Sequence, residues 1–378
     1  MKIGILTYSR ALNYGALLQA YALKTYLNRK QNVLAEIIDY WPEYHHEAYK
    51  LFSYELFKRL PVLSKIKYLV GFLLGLNRNL KRRKKYFDFI ESKLNMPKER
   101  TYITGEEVDT PVYDLAVYGS DQIWRKHPYR YFADFDKVYF GTFPSNAKSK
   151  ITYAASMGIL SKTEEDLEKL RKWLPNFDAI SVRERNLYEL VDGLGFKTKL
   201  VLDPVFLLTK NEWESNLRIV PPASVKSKYI LLFLLSPSEE AVVLTEKIRQ
   251  KLGFEVKVVN RKVMPFKFSS KNMETASTEE FLGLIHDAEF VISTSFHGTA
   301  FSVIFEKQFY ALGMGANSER SKTILGLLGI ENRYLDSIDS FKEISDINYT
   351  EVKQKLNELS ADSKSFLDDE INKRYVES

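Results

Sequence analysis

The chain has 378 residues, of which 45% are hydrophobic and 28% charged, a balance that suits one large or two medium folded domains and argues against extended disorder. It contains no Cys and only five His. That excludes a disulfide scaffold, a thiolate metal site and a cysteine nucleophile, and it leaves little material for a His-rich centre, so no metal is expected. Net charge is +6, and the excess is local: residues 50–100 hold 14 Lys/Arg against 4 Asp/Glu, a net +10, which leaves −4 on the rest.

Met1–Arg10 reads as a strand rather than a leader, and no apolar run reaches the roughly 18–20 residues of a spanning helix, so a cytoplasmic chain is expected. Ile3–Thr7 is a strand and Asn13-Tyr14-Gly15 a turn. Ala16, Ala20, Leu23 and Leu27 then fall on one helix face, and Val33–Tyr40 returns as a strand, completing a βαβ unit. Residues of about 45–100 read as a basic, mainly helical insertion. Its apolar segment Tyr68–Leu76 runs into Arg78–Lys85, which suits either a helix lying in a membrane surface through residues 62–85 or a helix packed on its own domain. Without a nucleic-acid motif, and with a net acidic remainder, no nucleic-acid partner is expected.

Strands follow at Leu115–Tyr118, Ile151–Ala155, Ala179–Val182 and Lys199–Leu202. A proline-punctuated connection leads to a second alternating series: strands at Tyr229–Leu235, Glu255–Val259, Phe290–Ser293 and Gln308–Leu312, with helices near 238–252, 278–286, from about Thr299, and around Ser321–Leu328. The reading is α/β: two facing doubly wound domains, residues 1–205 and 228–345, joined by 206–227 and followed by a helical segment, 346–378.

Ligands of open parallel sheets bind beyond the carboxyl ends of the strands. The candidates there are Asn13, Tyr14 and Gly15 in the first loop; Ser120, Asp121 and Gln122 after the third strand; and Ser295, Phe296, His297, Gly298 and Thr299 before an apolar helix. A helix amino terminus with Ser, Thr and His offers free amides and a group able to donate a proton to a docked anion. Arg183 can clamp a carboxylate or phosphate. Asp121 can act as a base or cap a helix. Asp203-Pro204 reads as structural, and His45, His46, His127 and His286 as surface or core residues.

Five segments together resemble the polysaccharide pyruvyl transferase family: Asn13–Leu23, Gly119–Trp124, Ser181–Glu184, Leu202–Leu208 and Thr294–Ser302, over residues 1 to about 335. The resemblance implies a Rossmann-like, GT-B-like fold and transfer of pyruvate from phosphoenolpyruvate, a co-substrate with no further cofactor, to a saccharide acceptor as a cyclic ketal. The acceptor is a surface polysaccharide sugar or its lipid-linked precursor, met at the inner face of the membrane. It assigns donor handling to His297 and Arg183; the chemistry further calls for a base at the acceptor hydroxyl, Asp121 or another carboxylate. Some relatives carry an Arg and a Leu immediately before the His, where this chain has Ser295 and Phe296, so Arg185 or Arg320 is expected to supply the missing cation. The alternatives are a glycosyltransferase of similar fold using a nucleotide sugar, and a non-catalytic polysaccharide-binding protein.

Overall fold

A computed structural model describes residues 1–96, 101–106, 111–128, 132–144, 146–235, 237–260, 272–343 and 345–376. Strand β1 (Lys2–Leu6) leads through α1 (Tyr14–Leu27) to β2 (Leu34–Ile37). The insertion follows as α2 (Glu43–Ala48), α3 (Tyr54–Arg59) and α4 (Val62–Phe89). Then come β3 (Leu115–Tyr118), β4 (Lys150–Thr152), α5 (Glu164–Trp173), β5 (Ile180–Val182), α6 (Arg185–Gly193) and β6 (Thr198–Leu200). After α7 (Lys210–Asn216) the second series runs β7 (Tyr229–Leu234), α8 (Glu239–Leu252), β8 (Glu255–Asn260), α9 (Thr278–His286), β9 (Phe290–Ser293) and α10 (Phe296–Ile304). It closes with β10 (Gln308–Leu312), α11 (Glu319–Leu328), β11 (Tyr334–Leu335) and the long α12 (Tyr349–Val376).

Every strand pair is parallel. The first sheet has the order β2-β1-β3-β4, and single bridges from Ile151 to Ala179 and from Ala155 to Val182 carry it on to the β5–β6 pair. The second has the order β8-β7-β9-β10-β11. Both therefore reverse direction at the same place in their winding, between β1 and β3 and between β7 and β9. Such a switch point opens a crevice at the strand carboxyl ends, where a ligand can lie.

Local signals fix several boundaries. Asn13 caps α1 by accepting from the Gly15 amide at 2.9 Å, so Tyr14 and Gly15 are helix rather than turn. Capping boxes start α7 at Thr209/Glu212 and α9 at Ser277/Glu280. The helix expected from Thr299 starts at Phe296, with Ser295 as its N-cap residue.

One-face amphipathicity understates α1, because 12 of its 14 residues are buried. It lies between the two halves: Tyr14 stacks on Phe281 of α9 at 4.3 Å, and Tyr21 reaches Trp213, which meets Phe301 of α10. These residues belong to one continuous apolar core that runs through both halves. Helix α12 returns to the first half, where Ser363 Oγ accepts from the Leu202 amide and Asp368 accepts from Tyr26 and pairs with Lys30.

The insertion resolves into an arm. Phe52, Phe57, Tyr68 and Phe72 form a small aromatic cluster tying α3 to α4. The second half of α4 is anchored across the molecule by Arg78–Glu274 at 2.9 Å and Lys85–Glu280 at 2.6 Å. Its outer apolar face is left largely uncovered among the described residues: Val62, Leu63, Ile66, Leu69, Val70, Leu73 and Leu74 are all exposed. Packing on the domain, one of the two sequence readings, is thereby overturned for this face. Among the described residues no helix is long and apolar enough to cross a membrane.

Candidate active site

The two switch points face each other across a cleft of about 180 Å³. From the first half its wall is built by Tyr8 and Asn13 after β1 and by Asp121 and Gln122 after β3. From the second half come Phe296 at the start of α10, Asn317 after β10 and Arg320 in the first turn of α11. The halves are latched at the rim, where Gln122 Nε2 donates to Asn317 Oδ1 at 2.9 Å.

His297 sits in the first turn of α10, buried behind the cleft wall next to Phe296, and its own side chain is not among those lining the cleft. Its ring lies against the Gly15 backbone, and a Cβ on that glycine would overlap the imidazole at Nδ1. We therefore expect Gly15→Ala to displace the ring and to cut turnover while leaving the far-ultraviolet circular dichroism unchanged, since a misplacement of about 1 Å costs up to 10²-fold. His297 Nε2 is 3.8 Å from Asp203 Oδ2 and has no hydrogen-bond partner among the described residues. Burial, and then the Arg183 charge, push its pKa down to about 3 despite the opposing Asp121 carboxylate. The imidazole of the free protein is therefore neutral, with a buried nitrogen ready to gain a partner.

Arg183 lies beneath the floor rather than on the wall. Its Nη1 donates to Asp203, its Nη2 is 3.6 Å from Asp121 Oδ1, and its Nε is 3.9 Å from Glu184 Oε1. Burial alone would lower its pKa, but Asp203, Glu184 and Asp121 hold it above the ordinary value. Burial raises the Glu184 pKa, against the pull of Arg183 and Arg320. Asp203, read from sequence as structural, both caps the following turn at Val205 and anchors Arg183, with Ser120 Oγ at 3.4 Å.

Of the two arginines expected to compensate for Ser295 and Phe296, Arg320 reaches the site and Arg185 does not. Arg185 is exposed. The Arg320 guanidinium packs 5.4 Å from the centre of the Phe296 ring and Arg183 lies 5.2 Å from the same ring, so the phenyl group is in contact range of two cations. Burial, and then Arg183, lower the Arg320 pKa to about 10, which keeps it charged at neutral pH.

The remaining candidates divide. Asp121 is on the wall with a left-handed backbone (φ 64°) and caps no helix. Gly119 before it also has a positive φ, and a Cβ there would strike the Tyr153 carbonyl. Tyr14 does not face the cleft; its hydroxyl is donated to the Ala276 carbonyl inside the core. Ser120 is buried and donates to Ala154 O. Thr299 is turned inward, its hydroxyl bonded to the Ser295 carbonyl, and Gly298 gives room to Ser293 and Phe233. Ser295 makes no side-chain cap, so the first-turn amides of α10 receive nothing from it.

Two of the histidines set aside in the sequence belong to the cleft. His45 and His127 line it with Tyr8, Tyr49 and Arg125. His45 meets Tyr8 edge-on at 4.6 Å, and His127 Nε2 is 3.3 Å from the Tyr8 hydroxyl. Burial, and then the His127 charge for His45 and the Arg125 charge for His127, press His45 to about 3 and His127 to about 4. Together with His297 they stay neutral in the folded chain while the unfolded chain protonates near pH 6.5, so stability is full above that pH and falls as pH drops. Roughly 2 kcal/mol per histidine is expected to be lost between pH 7 and pH 5. Glu184 and Asp136, both held up by burial, offset part of it. Denaturant titration at the two pH values measures the difference.

A family model for polysaccharide pyruvyl transferase matches residues 13–315, which hold both switch-point loops and the His297 turn. The chain belongs to the polysaccharide pyruvyl transferase family. No curated relative matches it in sequence. Distant fold likenesses are to S. aureus MnaA in a UDP co-structure (9% identity, TM-score 0.48, covering 95% of this chain and 87% of that one) and to UDP-GlcNAc 2-epimerase from Neisseria meningitidis bound to UDP-GlcNAc (8%, 0.46, all of both chains). A third is UDP-N-acetylglucosamine 2-epimerase from Rickettsia bellii (10%, 0.47, 99% and 97%). For this family member the cleft presents Arg320 and an uncapped helix terminus, with a neutral buried imidazole behind it, on one side, and an aromatic and imidazole shelf with Arg125 beside it on the other. Anion binding and proton transfer suit the first; a sugar face suits the second.

Proposed function

We propose that this protein transfers pyruvate from phosphoenolpyruvate to two hydroxyls of one saccharide, releasing phosphate and leaving a cyclic ketal. The observation that carries the reading is the buried His297 Nε2, without a partner among the described residues, directly behind Phe296 of a cleft that Arg320 and Arg125 also line.

Arg320, Arg125 and the first-turn amides of α10 hold the donor's phosphate and carboxylate. That negative charge reverses the balance around His297: an anion beside the ring favours the imidazolium, so the ring takes up a proton as the donor docks. His297 delivers this proton to C3 of the enol ester, which makes C2 electrophilic. A sugar hydroxyl attacks C2 and Asp121 accepts its proton. The C2–O bond to phosphate then breaks, and the second hydroxyl closes the ring. Of the two hydroxyl protons, one balances the proton delivered to C3 and the other leaves on phosphate. Arg183 is a positioning residue in this scheme, fixing Asp121 and Asp203 relative to His297. Tyr8, Tyr49, His45 and His127 form the acceptor shelf.

The test mixes phosphoenolpyruvate with a panel of saccharides and follows inorganic phosphate together with the acceptor mass. Phosphate release matched by pyruvyl gain is the expected result. Consumption of a nucleotide sugar with no response to phosphoenolpyruvate would replace this reading by glycosyl transfer, and saccharide binding with no turnover of either would replace it by a binding role.

A further inference from the structure

We propose that the α3–α4 arm docks on an anionic lipid surface, with the outer face of α4 lying in the plane of the headgroups. This rests on the arm alone and does not depend on the donor chemistry. At about 100° per residue, Val62, Leu63, Ile66, Leu69, Val70, Leu73 and Leu74 form one stripe roughly 140° wide. All are exposed, Leu63 by 76% and Leu73 by 59%. The opposite face is already used, since Tyr68 and Phe72 pack on Phe52.

The charges match such a surface. Lys65 and Lys67 flank the stripe at its two edges, and Lys81 continues the same face beyond it. Among the described residues none of the three has a carboxylate within ion-pair distance. Arg78 and Lys85 are not available, because they hold the arm to Glu274 and Glu280. Between Glu55 and Asp88 the sequence has no acidic residue. A second copy laid on this stripe would therefore set lysine against lysine, whereas lipid phosphates meet the rim with opposite charge. Apolar side chains at interfacial depth with lysines at the stripe's edges are the arrangement of an in-plane amphipathic helix.

The arm also leads to the cleft. Arg83, near the inner end of α4, donates to the carbonyl of Tyr49, a cleft-lining residue. Nine residues separate Leu74 from Arg83, about 14 Å of helix, so a docked stripe holds the cleft mouth close to the bilayer surface.

Sedimentation of the full chain with vesicles tests this. Binding is expected to phosphatidylcholine–phosphatidylglycerol vesicles at low salt, weakening as salt rises, and not to pure phosphatidylcholine. The Val70→Glu/Leu73→Glu double variant, substituted at exposed positions, should keep its thermal unfolding and lose binding. Each of Lys65→Gln, Lys67→Gln and Lys81→Gln should lower partitioning about fivefold. If the double variant proves unfolded, the lysine variants decide alone. The proposal fails if the native chain stays in the supernatant with mixed vesicles, or if neither set of substitutions changes binding. It also fails if the native chain is a dimer that the glutamates dissociate while vesicles bind nothing, which would make the stripe a self-association face.

Discussion

Replacing His297 with glutamine lowers pyruvyl transfer by about 10²–10⁴-fold in a protein that stays folded, the range attached to a positioned proton donor. The size of the effect follows from the burial of the ring and from its nitrogen, which has no hydrogen-bond partner among the described residues. Glutamine fills the pocket against Gly15 without an ionisable group, so denaturant stability at pH 7 should change little, and the loss of stability below pH 6.5 should become shallower by one histidine's share. Turnover within a few-fold of the native rate would remove His297 from the reaction.

Breaking the charge cluster below the floor costs stability instead. Arg183→Met leaves Asp203 and Glu184 buried without their nearest cation, and a buried charge stripped of its partner costs about 3–5 kcal/mol. The Arg183→Met/Asp203→Asn double variant removes one charge of each sign and should recover most of that loss in a denaturant titration. Its turnover should nevertheless stay low, because Asp121 and His297 lose the group that sets their spacing. A single variant as stable as the native chain would show that Arg183 is not the counter-charge of this cluster.

Much of this architecture is legible in the sequence, because each short apolar run followed by a helical period is a local signal. The turn from β9 into α10 stands out for the same reason: Ser295, Phe296 and His297 follow directly on a buried strand. What is not legible arises where separate elements meet. His45, His127 and Arg125 come from a short helix and a loop, and only the fold sets them around Tyr8. Tyr14 and Asn13 are neighbours in sequence, yet the cap turns one to the cleft and the helix turns the other into the core. Arg320 has no local feature that marks it; it enters because Ser295 and Phe296 leave a charge to be supplied, and the start of α11 brings it across the Phe296 ring. Asp203 combines a visible role, capping before Pro204, with one that only packing creates.

The most direct test of the account is calorimetric titration with phosphoenolpyruvate in two buffers of different ionisation enthalpy at pH 7.5. Saturable binding is predicted with net proton uptake, lost in the His297→Gln protein while some binding to Arg320 and Arg125 persists. Binding without proton uptake, or uptake unchanged in that variant, would contradict the claim that the donor's own charge arms the imidazole.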